Sequence, residues 1–237
     1  MTIIAENIEP RHNFNDEEKN HLLFDEQKLL YHDNFYKLHS SFLRPTNIKI
    51  DVNFFKEEIK KYHTKFRYFT NKLYKQRYCI SLVNIDGFID KEHDITAQPL
   101  DTLPEDKKVS DWEIIKKTEV YKNLKSLKPL QELGEYLTRS QILLWHKNAS
   151  FVPHIDTWPD KSCRNLKFWG VTDPENYIFK SLGEFVNMEK IEAGRIYLVD
   201  GTRWHYAKST ADWQYTFFLS TKLNDSVIDL LENKLLL

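Results

Sequence analysis

His154 and Asp156 lie two residues apart in Phe151-Val152-Pro153-His154-Ile155-Asp156, a stretch of strand-forming character. Alternation along a strand places positions i and i+2 on one face, so this imidazole and carboxylate point the same way and can grip one ion together. About fifty residues on, Asp200-Gly201-Thr202-Arg203-Trp204-His205 follows the run Gly194-Arg195-Ile196-Tyr197-Leu198-Val199 and supplies a second imidazole in β context. Two imidazoles and one carboxylate occupy one face of an octahedral ion. The opposite positions stay open for a chelating co-substrate and for oxygen, which is what non-haem Fe(II) oxygenases need. Zinc prefers a tetrahedral site with a single open position, and no general-base carboxylate accompanies the three residues as in helical zinc hydrolase motifs. The same side chains also read as histidines hydrogen-bonded inside a β-rich core, with Asp156 opening a turn.

Placing these residues requires a sheet, and the surrounding pattern predicts one. Between 141 and 222, short β-rich runs alternate with turn residues at 142–146, 151–155, 166–171, 177–179, 195–199 and 215–220, the signature of a barrel or sandwich. Residues 78–85 alternate and end at Asp86-Gly87, reading as a further strand. Upstream, Phe24, Leu29, Leu30, Phe35, Leu38 and Phe42 fall at helical spacing, as do Phe54, Phe55, Ile59, Tyr62 and Phe66. Residues 112–137 carry an apolar stripe interrupted at Pro129, which predicts a supporting helix. Near the C-terminus Asp225 is placed to cap a helix containing Val227, Ile228, Leu230 and Leu231. The predicted class is α+β, mainly β: residues 1–76 a helical extension, 77–223 the β core, 224–237 a C-terminal helix.

With 237 residues and a net charge of −1, the chain is long enough for a full core and carries no block of like charge. The sequence therefore predicts no nucleic-acid partner. Two cysteines, Cys79 and Cys163, stand far apart, against both a disulfide scaffold and a thiolate metal site. The first residues lack a basic segment followed by an apolar run, and no apolar stretch approaches membrane-spanning length. A cytoplasmic protein with no membrane partner is the expectation.

Over most of the C-terminal half the chain resembles the aspartyl/asparaginyl β-hydroxylase group of 2-oxoglutarate oxygenases, which includes free-proline cis-hydroxylases. The resemblance rests on residues 142–156 with their His-x-Asp, on Gly194 to Asp200, and on His205 followed by a closing strand. It implies a double-stranded β-helix of the jelly-roll, cupin-like kind, backed by a helical layer. It also implies that His154, Asp156 and His205 bind Fe(II), and that 2-oxoglutarate and O2 are consumed while an amino acid, a peptidyl side chain or a related small molecule is hydroxylated. The group usually carries an arginine about ten residues after the distal histidine, for the far carboxylate of 2-oxoglutarate; here that position is Tyr215, beside Gln214. Arg164 and Lys167 follow the His-x-Asp pair where relatives often carry a functional arginine. Arg164, helped by the Tyr215 hydroxyl, is the expected replacement, with Lys167 next. A non-catalytic cupin-like module that holds a metal or ligand is the alternative that the missing arginine favours. Trp145, Trp158, Trp169 and Trp204 are candidates to wall the pocket, and His146 to face the same interior.

Overall fold

The computed structural model describes residues 38–39, 41–68, 74–90, 113–154, 156, 165–181, 184–201 and 203–237. The first predicted helix up to residue 37, Trp158, Cys163 and Arg164 lie outside them. Eleven strands occur among the described residues: β1 (Leu43–Lys49), β2 (Arg67–Tyr68), β3 (Tyr74–Asn84), β4 (Lys116–Lys117), β5 (Ser140–His154), β6 (Asn165–Val171), β7 (Tyr177–Ser181), β8 (Glu184–Phe185), β9 (Arg195–Val199), β10 (His205–Ser209) and β11 (Gln214–Lys222). All pairings are antiparallel, in the order β1-β9-β6-β11-β5-β10-β7-β8, with β3 on β5.

β5 organises the molecule. Its first part, 141–145, pairs with β11, and its last part, 150–154, pairs with β10. Between them the β3 register jumps and Asn148 adopts φ 67°, a left-handed conformation that asparagine tolerates better than most residues. The sequence pattern predicts two strands joined by a turn at 147–150; one bent strand is observed. The bend divides the sheet into two layers that face each other. Their inner side chains, among them Leu143, Trp145, Trp169, Tyr177, Phe179 and Ala207, form one core. Trp145 meets Tyr177 edge-on at 5.4 Å, and Trp169 lies 4.9 Å from Phe179.

A second core lies on the outer face of the β11 layer, where Phe217, Leu219, Ile142 and Leu144 pack against helices. Helix α1 (Val52–Ile59) starts where the Asp51 carboxylate accepts the Phe54 N–H, and it buries Phe55 and Ile59. The stripe at 112–137 does not make one helix. It gives α2 (Glu119–Asn123), capped by Thr118, then an extended Leu124 and a 3-10 run (Lys125–Glu132) around Pro129, whose missing N–H cannot serve an α-helix interior. The predicted helical extension is interrupted by Leu43–Lys49, an edge strand on β9. Pro45 fits an edge. At the C-terminus α3 (Asp225–Leu230) is capped by Asn224 rather than Asp225, its side chain accepting the Val227 N–H at 2.9 Å. The chain then docks on β1 through Leu237 N–H to the Pro45 carbonyl. No helix among the described residues is long and apolar enough to cross a membrane.

Candidate metal centre

Strand pairing brings the three predicted ligands together. β10 runs antiparallel to the last part of β5 with His205 directly opposite His154, and the two rings stand 4.2 Å apart, centroid to centroid. Asp156 follows the end of β5, its N–H donating to the Gly201 carbonyl at 2.9 Å. Its carboxylate spans both imidazoles, Oδ1 3.2 Å from His154 Nε2 and Oδ2 3.3 Å from His205 Nε2. The three ligand atoms all lie within 4.8 Å of one another, which suits a shared ion.

The turn before β10 aims His205. Its Nδ1 lies 2.9 Å from the Arg203 carbonyl. A carbonyl only accepts, so Nδ1 carries the proton and Nε2 is the atom left to bind. Arg203 in turn donates through Nε to the buried Asp200 carboxylate at 2.7 Å. One turn thus holds Asp156 by its backbone and His205 by a carbonyl.

Burial by itself raises the Asp156 carboxyl, but the charge of His154 and hydrogen bonds from both histidines outweigh it and hold the group well below the usual carboxylate range. For His205 burial favours the neutral ring, yet the bond to Asp156 and its negative charge prevail and raise the imidazole. The negative charge of Asp156 thus faces two imidazoles, and a divalent cation bound there would displace protons from the ligand atoms. Two nitrogens and one oxygen in this arrangement fit Fe(II).

Beside the triad, between the two layers, lies a cavity lined by Arg77, Leu143, Trp145, Tyr177, Thr216 and Phe218, among others. Trp145 Nε1 donates to Thr216 Oγ1 at 2.9 Å. Two of the expected tryptophans, Trp145 and Trp169, do wall this space. His146 does not face it: on the opposite face of β5 from Trp145, it sits against Asp212 and the edge of Trp213.

The expected co-substrate contacts separate. Tyr215 points away from the cavity. Parity along β11 turns Thr216 and Phe218 inward and Tyr215 outward, where its hydroxyl lies 2.6 Å from His63 Nε2 and its ring meets Phe55 edge-on at 5.5 Å. Burial there pushes its phenol up to about 12. Lys167 is buried, 3.2 Å from the Ser220 hydroxyl and above the Phe218 ring, and is not among the described residues lining the cavity. A cation that sequence reasoning passed over, Arg77, does line it. Its signal was present: extending the alternation of β3 back one step puts Arg77 on the face of Cys79. Asp200 and Arg203 were missed as well, since a turn of this kind shows its purpose only once its carbonyls are placed.

No family model matches the chain, and no curated protein matches it. Among solved structures, a Pseudomonas putida prolyl-4-hydroxylase is similar at 10% identity over 81% of this chain and 98% of that one, with a TM-score of 0.43. A predicted oxalate decarboxylase from Thermotoga maritima is similar at 14% identity over 40% of this chain and 74% of that one, with a TM-score of 0.29. The functional reading rests on the site's own geometry.

Proposed function

We propose that the chain is a non-haem Fe(II), 2-oxoglutarate-dependent oxygenase that hydroxylates a small, amino-acid-like molecule or a peptidyl side chain. His154, Asp156 and His205 are its iron ligands. The observation that carries the reading is the convergence of His154 Nε2, His205 Nε2 and both Asp156 oxygens beside an aromatic-lined cavity. We read the two facing layers joined through β5 as a double-stranded β-helix, which presents such ligands at neighbouring strand ends.

Bound iron would supply the oxidative chemistry, coupling decarboxylation of 2-oxoglutarate to succinate with insertion of oxygen into a C–H bond. The chain's own residues bind and aim. Three protein ligands on one face leave the remaining positions to co-substrate and oxygen. The Arg203 carbonyl fixes the His205 tautomer, and Trp145, Phe179 and Phe218 supply apolar walls beside the ligands. A cytoplasmic location and the absence of nucleic-acid and membrane partners belong to the same proposal.

Anaerobic loading with Fe(II), followed by 2-oxoglutarate, O2 and a panel of amino acids and peptides, tests it: succinate should form and rise with the right substrate. A protein that retains iron yet forms no succinate with any of them is instead a cupin-like binding module. The lack of a cation at the cavity-lining β11 positions Thr216 and Phe218 favours that second reading.

A further inference from the structure

We infer that Arg77, on β3, is the anchor for the far carboxylate of a 2-oxo dicarboxylic acid bound at the triad; this rests on the oxygenase reading above. In the pairing of β3 with β5, Arg77 stands opposite Trp145, at the end of β5's first part away from Ser140. It is 2% exposed and lines the cavity. Its guanidinium carbon lies 4.2 Å from the centre of the Phe151 ring and 5.2 Å from Trp145. The Phe151 ring centre is in turn 3.6 Å from that of His154. The guanidinium is therefore no more than 7.8 Å from the His154 imidazole, the sum of the two distances measured through Phe151.

That limit lies within the reach of a diacid. With the keto-acid head on the metal, the far carboxylate of 2-oxoglutarate stands three carbon–carbon bonds beyond the keto carbon, roughly 4 Å when extended. Hydrogen-bond reach to a guanidinium covers the rest. A guanidinium edge suits two-pronged contact with a carboxylate. Tyr177 belongs to the same end: burial raises its phenol, with the Arg77 charge pulling it down, so it stays a neutral hydroxyl donor beside the cation.

Charge points the same way. The described walls carry two guanidiniums, Arg77 and Arg139, and one carboxylate, Asp156. A divalent ion at the triad adds further positive charge, which a dianion offsets better than a monoanion.

The test compares 2-oxoglutarate with 2-oxobutyrate, which has the same keto-acid head and no far carboxylate. Each is titrated anaerobically into Fe(II)-loaded wild type, Arg77→Gln, Arg77→Lys and Arg139→Gln, with binding read by calorimetry and by the visible absorption of the chelate. Wild type should prefer the diacid, and Arg77→Gln should lose on the order of 100-fold for it while binding 2-oxobutyrate and iron unchanged. Arg77→Lys keeps the charge without the fork and should fall between; it carries the test if Arg77→Gln does not fold. Equal loss of both acids, unchanged diacid affinity, or a selective loss in Arg139→Gln in place of Arg77→Gln overturns the assignment. If wild type holds iron and neither acid binds, the oxygenase reading falls with it, a result distinct from failure of Arg77 alone.

Discussion

Replacing Asp200 by Asn tests whether the turn before β10 sets the metal site. The side chain is 2% exposed, and its Oδ2 accepts from Arg203 Nε at 2.7 Å, while the Arg203 carbonyl is the partner of His205 Nδ1. Asn keeps the shape and removes the charge. A hydrogen bond between two ions contributes about 1.5–3 kcal/mol. Arg203 is 37% exposed, so solvent screening reduces this to about 1 kcal/mol of fold stability. The larger effect falls on the metal. The negative charge of Asp200 also helps raise His205, so its loss makes Nε2 a weaker donor at the same time as it loosens the ring's carbonyl partner. Substitutions that act on a ligand in this indirect way cost about 10- to 100-fold in metal affinity. Anaerobic titration with Fe(II), or with Co(II) as a spectroscopic substitute, reads that term, and a urea melt of the metal-free protein reads the first. Metal affinity within twofold of wild type would refute the claim that this turn orients His205, whatever the melt shows.

His154→Ala or His205→Ala should abolish iron retention while circular dichroism keeps its β signature, since each removes one of three ligands at strand ends; near-normal iron content in both sinks the triad. In the metal-free protein the depressed Asp156 carboxyl contributes stability that is full above its ordinary value of 3.8 and is lost as pH falls through the folded value. The raised His205 contributes stability that is full below 6.5 and is lost as pH rises through its folded value. Denaturant melts across pH should therefore show the metal-free protein weakening at both ends, while metal affinity climbs by up to about tenfold per pH unit as His205 gives up its proton; a flat metal-binding profile contradicts this. Gly194→Ala should cost ~3 kcal/mol in a urea melt. The φ of 75° strains any side chain, and the added methyl meets the Ile50 carbonyl beside the hydrogen bonds joining Gly194 to Ile50 and Val171. Wild-type stability in that variant removes the steric argument.

Period-2 alternation and turn residues made the sandwich legible from residues 141–222, because a strand half buried between a core and a second layer writes its two faces directly into the chain. The same rule put His154 and Asp156 side by side, and β context after Val199 marked His205 as their partner. What alternation leaves open is which strands are neighbours and where a run begins. That Leu43–Lys49 joins the sheet depends on its pairing with β9, some 150 residues away, which no local propensity records. Counting ten residues past His205 reached Tyr215, but the hairpin between β10 and β11 sets the parity, and parity sent Tyr215 to His63 and turned Thr216 inward. Arg77 shows the same limit from the other side: its charge is plain in the sequence, yet its burial beside Phe151 and Trp145 follows from β3 pairing along the bent β5. Residue chemistry and alternation within a strand were local properties, and the sequence alone determined them. Register and layer contact are non-local, set by hydrogen bonds and packing between distant segments, and the tertiary structure alone decided which cation reaches the cavity.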